Sequence, residues 1–262
     1  MLHFDFSYSD MEFFLVILVR TTAFFYVAQF FDMGHVPMRV RLGLSFVVSM
    51  LLYGTLLPHD ELLYRNEIEY AFLVAKEFVV GILMGMGVNM CTSILGMTGA
   101  IADMEVGFSM VSVMDPVTNN NTTITSSFYQ YMITMILIIS GMYEYIVQAL
   151  AEAYQLIPIN GAVFDADNLL NGVVAFLTDY VRIGFQIALP IFSAILLLDV
   201  VLGIMAKVSP QMNMFAVGLQ LKVFCGLGVI LLTIGLLPDM SDLIFTEIRK
   251  MTVTFVEAIA PS

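Results

Sequence analysis

The sequence predicts an all-α integral membrane protein built of long helical hairpins, and three observations support this fold class. Of the 262 residues, 60% are hydrophobic and only 12% are charged. Charged residues make up roughly a quarter of an ordinary soluble domain, which is about twice their share here. The mean hydropathy is +0.91. Long apolar stretches follow one another with only short connections between them, and the chain length suits a single helical domain.

Six apolar stretches are long enough, or nearly long enough, to cross a bilayer as helices. They cover residues of about 11–31, 40–58, 70–102, 128–157, 172–201 and 211–237. The last segment, 240–259, mixes charged and apolar residues and predicts an amphipathic helix on a surface or on a partner.

Three of the stretches are longer than a simple span requires. As one straight helix, 70–102 would extend about 50 Å, whereas the hydrocarbon core is about 30 Å thick. The stretches 128–157 and 172–201 are over-long in the same way. These helices are expected to break, to protrude, or to lie partly outside the bilayer.

The positive charges give a conflicting orientation. Arg39 and Arg41, in the first connection, favour a cytoplasmic position for that connection. Six spans would then place Arg249 and Lys250 on the opposite side, which the same rule disfavours. Either the number of spans differs from six, or these helices are not all conventional spans.

The charge balance and the absence of known functional motifs argue against several functions. The net charge is −12, and no basic stripe is available to neutralise phosphates, so nucleic-acid binding is not expected. The three histidines, His3, His35 and His59, lie in end or connecting segments. No metal-ligand spacing, phosphate-binding loop or dinucleotide turn is present. We therefore expect neither an enzyme nor a cofactor or metal site.

The stretch between Asp103 and Tyr129 changes character from apolar to polar. Proline and asparagine both disfavour a regular helix there. The apolar, methionine-rich tip allows two interpretations, a deformable seal around a conduit or ordinary membrane filling, and the clustering of methionines favours the seal. The candidate seal residues are Phe108, Ser109, Met110, Val111, Val113 and Met114. The candidate tether residues are Asp115, Pro116, Asn119, Asn120 and Asn121.

Several ionisable side chains lie in or near apolar segments, namely Glu77, Asp199, Lys207 and Lys222. An unpaired lysine at mid-membrane costs at least about 3 kcal/mol, so each should face a partner or a wet cavity. They could form a proton or substrate path, but structural pairing or headgroup contact is favoured. Small residues that let helices approach closely are Gly81, Gly85, Gly99, Gly218 and Gly226.

Several strings together resemble one protein family. The most specific is Pro210-Gln-x-Asn-x-Phe-x-x-Gly-x-x-x-Lys222, and the others cover residues 36–44, 99–109, 115–116, 189–190 and 199–203. Over residues of about 11–240 they resemble the FliR/SctT family of the bacterial type III export gate, which includes flagellar proteins and more distant relatives in virulence injectisomes. Within these strings, Asp103, Glu105, Gln211 and Asn213 join the polar residues expected to support assembly.

The resemblance implies a non-enzymatic, channel-forming subunit in the bacterial inner membrane, at the flagellar basal body. The implied fold is one export-gate domain with a FliP-like part at about 11–200 and a FliQ-like hairpin at about 201–262. The loop 107–122 would enter the central channel as a plug. The implied partners are FliP, FliQ and FlhB, with FlhA in the wider gate, together with unfolded flagellar export substrates and the lipid membrane.

Two alternatives stay open at this stage. An injectisome gate subunit would use the same mechanism for a different cargo. A secondary transporter for a small solute would need broken helices around a polar midplane site, usually on repeated halves, and no internal repeat is evident.

Overall fold

A computed structural model describes residues 8–28, 37–56, 62, 64–109, 124–209, 211 and 213–260. Every regular element in these ranges is helical, which confirms the predicted all-α membrane fold. In chain order, the elements are α1 Tyr8–Val27, α2 Met38–Thr55, α3 Glu67–Val106, α4 Ile124–Ile139, α5 Met142–Leu156, α6 Ala166–Val208, α7 Met214–Thr233, a 3₁₀ turn Ile234–Leu236 and α8 Leu237–Ile259.

The described residues contain fewer clear spans than the six apolar stretches. Three helical runs are long and apolar enough to cross a membrane, and they are Glu67–Val106, Ala166–Val208 and Ala216–Ile259. A fourth results if Ile124–Ile139 and Glu144–Leu156, which meet at 71°, form one broken span. The numbers differ because α1, which carries Asp10, Glu12 and Arg20, and α2 are not among these runs. The stretch 211–237 continues into 240–259 as one helical run, which leaves the number of spans unchanged.

The three over-long stretches behave differently from one another. The stretch 128–157 breaks between α4 and α5, where Gly141 has a φ of +80° that side chains with a Cβ rarely adopt. The helix α3 continues without a break for 40 residues. The helix α6 continues for 43 residues and contains Pro190. A break therefore appears at the glycine and not at the proline.

The chain forms two compact units. The first unit contains Met1–Cys91, Gly141–Ala175 and Glu247–Ser262, and the second contains Thr92–Ser140 and Phe176–Thr246. The helices α3, α6 and α8 contribute residues to both units.

In the first unit, α1 and α2 form an antiparallel hairpin held by aromatic side chains. The ring of Phe14 meets Phe46 edge-on at 5.6 Å and Tyr53 at 5.9 Å between centroids. Elsewhere on α1, Val16 and Ile17 are completely buried. Such edge-to-face pairs add to the stabilisation that comes from burying apolar area.

The part of α8 that belongs to the first unit buries its apolar face inside the chain. Ile248, Met251 and Phe255 are all at most 2% exposed. The ring of Phe255 packs at Gly87, where an added Cβ would lie only 2.9 Å from it. The predicted amphipathic segment is thus a helix whose apolar side is covered by its own chain.

Candidate functional site at the base of the 107–122 loop

The helix α3 ends at the entrance to the predicted plug loop. Gly107 donates its backbone N–H to the carbonyl of Asp103 at 3.0 Å and has a φ of +94°, which is a common way for a helix to end. Phe108 and Ser109 follow and are half-buried. The remaining seal and tether residues lie outside the described residues, and they are Met110, Val111, Val113, Met114, Asp115, Pro116, Asn119, Asn120 and Asn121.

On the other side of this loop, a buried carboxylate holds the start of α4. Thr125 donates its backbone N–H to the two carboxylate oxygens of Asp103 at 3.3 and 3.2 Å, and its hydroxyl donates to Oδ1. Asp103 is 1% exposed. The first N–H groups of a helix have no partner within it, and a negative charge there also complements the helix dipole. Asp103 therefore joins the two ends of the loop.

Close backbone packing supports this junction one turn earlier on α3. A Cβ added to Gly99 would overlap the backbone N and Cα of Ser126. Because Gly99 and Asp103 are four residues apart, they lie on the same face of α3. The start of α4 is thus held against α3 both by packing and by hydrogen bonds.

Helices α6 and α7 pack around the same end of α3. A Cβ at Gly226 of α7 would overlap the side chain of Val106, and one at Gly107 would lie 3.1 Å from Leu219 Cδ1. The hydroxyl of Thr98 donates to the carbonyl of Gly184 on α6 at 3.3 Å. Helices α4 and α7 therefore pack at the C-terminal end of α3, and α6 packs against it about two turns earlier.

A half-exposed ion pair joins α6 and α7. Lys222 Nζ lies 2.7 and 2.8 Å from the two carboxylate oxygens of Asp199. The side chains are 25% and 45% exposed, respectively. Gly218 lies one turn before Lys222, and its added Cβ would be 3.3 Å from Leu202 Cδ1.

The other predicted polar residues lie at the end of α6, at or just before the start of α7, or on α3. Asn213 caps α7, and its side-chain oxygen accepts the N–H of Ala216 at 3.4 Å. Lys207 is exposed in the last turn of α6, where a cation complements the helix dipole. Gln211 is exposed and Glu105 is half-buried.

Glu77 belongs to a separate buried cluster, in the first unit. Its Oε2 accepts the Nε–H of Arg20 at 2.5 Å, and both side chains are completely buried. Its Oε1 accepts the backbone N–H of Asn160 at 2.9 Å. The adjacent Lys76 donates to the carbonyl of Asn160 at 2.8 Å. Glu77 thus holds both α1 and the connection between α5 and α6.

Arg20 extends the cluster to α5. Its Nη1 donates to the carbonyl of Ile157 at 3.0 Å, and its guanidinium lies 4.2 Å from the ring centroid of Tyr154. The Tyr154 hydroxyl donates to the carbonyl of Ile17 at 3.2 Å. Sequence reasoning missed Arg20 and Tyr154, although an arginine inside an apolar run already signals a buried partner.

The helix α1 approaches α3 closely at two glycines beside this cluster. A Cβ added to Gly81 would overlap the carbonyl oxygen of Arg20 and lie 2.8 Å from Ala23 Cβ. One added to Gly85 would lie 2.7 Å from the carbonyl oxygen of Phe24. Gly81 follows Glu77 by one helical turn, so the close approach and the ion pair share one face of α3.

Comparison with known proteins identifies similar chains. The profile of the family described as "Bacterial export proteins, family 1" matches residues 11–248. The flagellar biosynthetic protein FliR of Bacillus subtilis (strain 168) is 26% identical over 212 residues, which are 80% of this chain and 81% of that protein. FliR of Escherichia coli (strain K12) is 20% identical over 92% of each chain. The surface presentation of antigens protein SpaR of Shigella flexneri is 24% identical over 82% of this chain and 84% of its own length.

Proposed function

Since this chain belongs to the bacterial export proteins, family 1, we propose that it is a channel-forming subunit of a flagellar type III protein-export gate. In this proposal it assembles with FliP and FliQ, binds FlhB, and lies in the inner membrane at the flagellar basal body, with FlhA in the wider gate. The observation that carries the proposal is the family match, which extends over nearly the whole chain. The similarity to FliR proteins favours flagellar cargo.

The surface around the Lys222–Asp199 ion pair supports an assembly role. Next to Asp199, the side chains of Val200 and Val201 are 55% and 51% exposed. Apolar groups suit either lipid or protein, but a half-exposed ion pair is costly against lipid tails. A neighbouring subunit or a wet lumen would satisfy both kinds of group.

The geometry at the base of the 107–122 loop supports the proposed role of this loop as a plug. Asp103 and Gly99 hold the start of α4 against the end of α3. The apolar tip of the loop between them would therefore stay within a short distance of this junction. A tip rich in methionine and valine can close a conduit by excluding water, and methionine adapts to irregular walls. The chain itself would do no covalent chemistry, and the energy for transport would come from elsewhere in the machine.

Deleting Ser109–Met114 is expected to increase ion leakage through the resting gate, because the sealing side chains would be lost. The measurement is ion flux in cells that retain the assembled gate. As a matched control, replacing Asn119, Asn120 and Asn121 with serines keeps the polar tether and should leave the leak unchanged. An unchanged leak after the deletion would reject the plug.

Replacing Lys222 with Gln is expected to reduce co-purification with FliP and FliQ several-fold. The isolated chain should lose at most about 1 kcal/mol of stability, because the ion pair is half-exposed. Lys250→Gln serves as the control, since Lys250 is a 53% exposed lysine on α8 in the first unit and belongs to none of the predicted assembly residues. If Lys222→Gln leaves both partners bound and yet abolishes export, the residue acts in transport and not in assembly.

The similarity to SpaR favours a second candidate, an injectisome gate subunit with the same mechanism. Complementation separates the two, because a flagellar subunit should restore motility to a strain lacking its own FliR. Solute uptake by this chain alone in liposomes would instead support a secondary transporter.

A further inference from the structure

A groove of about 400 Å³ opens in the first unit between α1, α2 and α3. Leu18, Val19 and Ala23 of α1 and Phe78 of α3 provide an apolar floor. Leu18 and Tyr26, both of which line the groove, are eight residues apart, so the groove extends for about 12 Å along α1. Its volume falls within the range of small-ligand sites in proteins.

One end of the groove carries a positive charge and an aromatic hydroxyl. Arg41, near the start of α2, and Tyr26, near the end of α1, both line it. Arg39, also near the start of α2, is exposed. Arg39 and Arg41 are the residues whose charges favour a cytoplasmic position under the positive-inside rule, and tyrosine is enriched at the headgroup level of membranes.

We propose that this groove binds an anionic phospholipid of the phosphatidylglycerol class. Its phosphate would accept hydrogen bonds from Arg41 beside Tyr26, and an acyl chain would lie along Leu18, Val19 and Ala23. Basic pockets between membrane helices on the cytoplasmic side are suited to such headgroups. The cationic end and the apolar floor match the two halves of one lipid molecule.

A lipid fits this groove better than an acidic peptide does. The hydroxyl of Ser45, which also lines the groove, already donates to the carbonyl of Arg41 at 2.9 Å. An extended peptide would need partners for its own backbone N–H and C=O groups along an apolar floor. An acyl chain has no such groups, so only its headgroup requires polar contacts.

The proposal requires only that the chain lies in a membrane, so it stands or falls independently of the export function. The test uses the full chain in phosphatidylcholine nanodiscs with and without phosphatidylglycerol, and counts retained lipid by native mass spectrometry. Arg41→Gln should lower retained phosphatidylglycerol by more than about tenfold, because a charge-assisted hydrogen bond is lost. Arg39→Gln should lower it by about fivefold at most, through general surface attraction.

Two further variants separate binding from folding. Arg41→Lys keeps the charge and should retain most of the lipid. Thr22→Phe places a ring in the groove without changing its charge, and should displace the lipid while the thermal stability in phosphatidylcholine stays unchanged. Equal losses for Arg39→Gln and Arg41→Gln, or equal retention of phosphatidylcholine and phosphatidylglycerol, would each overturn the proposal.

Discussion

Replacing Arg20 with Met, or Glu77 with Leu, is expected to destabilise the first unit by about 3–5 kcal/mol, since each change leaves the partner's charge buried without compensation. Both side chains are completely buried, and the ion pair links α1 to α3. The measurement is the thermal stability of the detergent-purified chain, together with its amount in the membrane.

The double variant Arg20→Met/Glu77→Leu should be more stable than either single variant, because no lone charge remains. It should still fall short of the parent chain, since the N–H of Asn160 and the carbonyl of Ile157 lose their partners. Lys76→Met is the matched control, as Lys76 adjoins Glu77 and donates to an exposed part of the same connection. A double variant less stable than both singles would contradict this account.

Replacing Gly99 with Ala is expected to cost about 3 kcal/mol, at the upper end for overpacking, because the added methyl group would overlap the backbone of Ser126. Backbone atoms cannot rotate away as a side chain can, so α4 would have to move from α3. Hydrogen exchange at the start of α4 should increase together with the loss of thermal stability.

Gly96, on the same helix, offers a control for which the change in stability on replacement with alanine should have the opposite sign. Its added Cβ would meet nothing nearer than the Ser126 hydroxyl at 3.9 Å, and the position is exposed. Gly96→Ala should therefore be neutral or slightly stabilising, because alanine favours the helix over glycine. Equal effects at the two positions would show that Gly99 does not lie against α4.

The helices were predictable from the sequence because they rest on a local property, the run of apolar residues. The sequence does not locate the break at Gly141, because it indicates only that 128–157 is over-long. Pro190 would have been the obvious place for a break, yet α6 continues through it. Proline is tolerated within membrane helices, so its presence alone does not locate a break.

For the ionisable clusters, the sequence predicts which residues need a partner but not which residue the partner is. An ionisable residue in an apolar run shows that a partner must exist, and Glu77 and Lys222 are both residues of this kind. It does not show which partner, because Arg20 and Glu77 are 57 positions apart, and Asp103 and Thr125 are 22 apart. Such pairings depend on how helices pack, and one sequence without variation among relatives carries no record of it. The functional roles of these residues stay predictions.

The glycine at position 81 has an evolutionary consequence. A Cβ there would overlap the carbonyl oxygen of Arg20. We therefore expect a larger residue to push α1 outward and to draw the Arg20 guanidinium away from Glu77. Loss of the small residue and loss of the carboxylate would then damage the same link, so their costs should not add. Positions 20, 77 and 81 are therefore expected to co-evolve as a set, with changes at one tolerated only on particular genetic backgrounds.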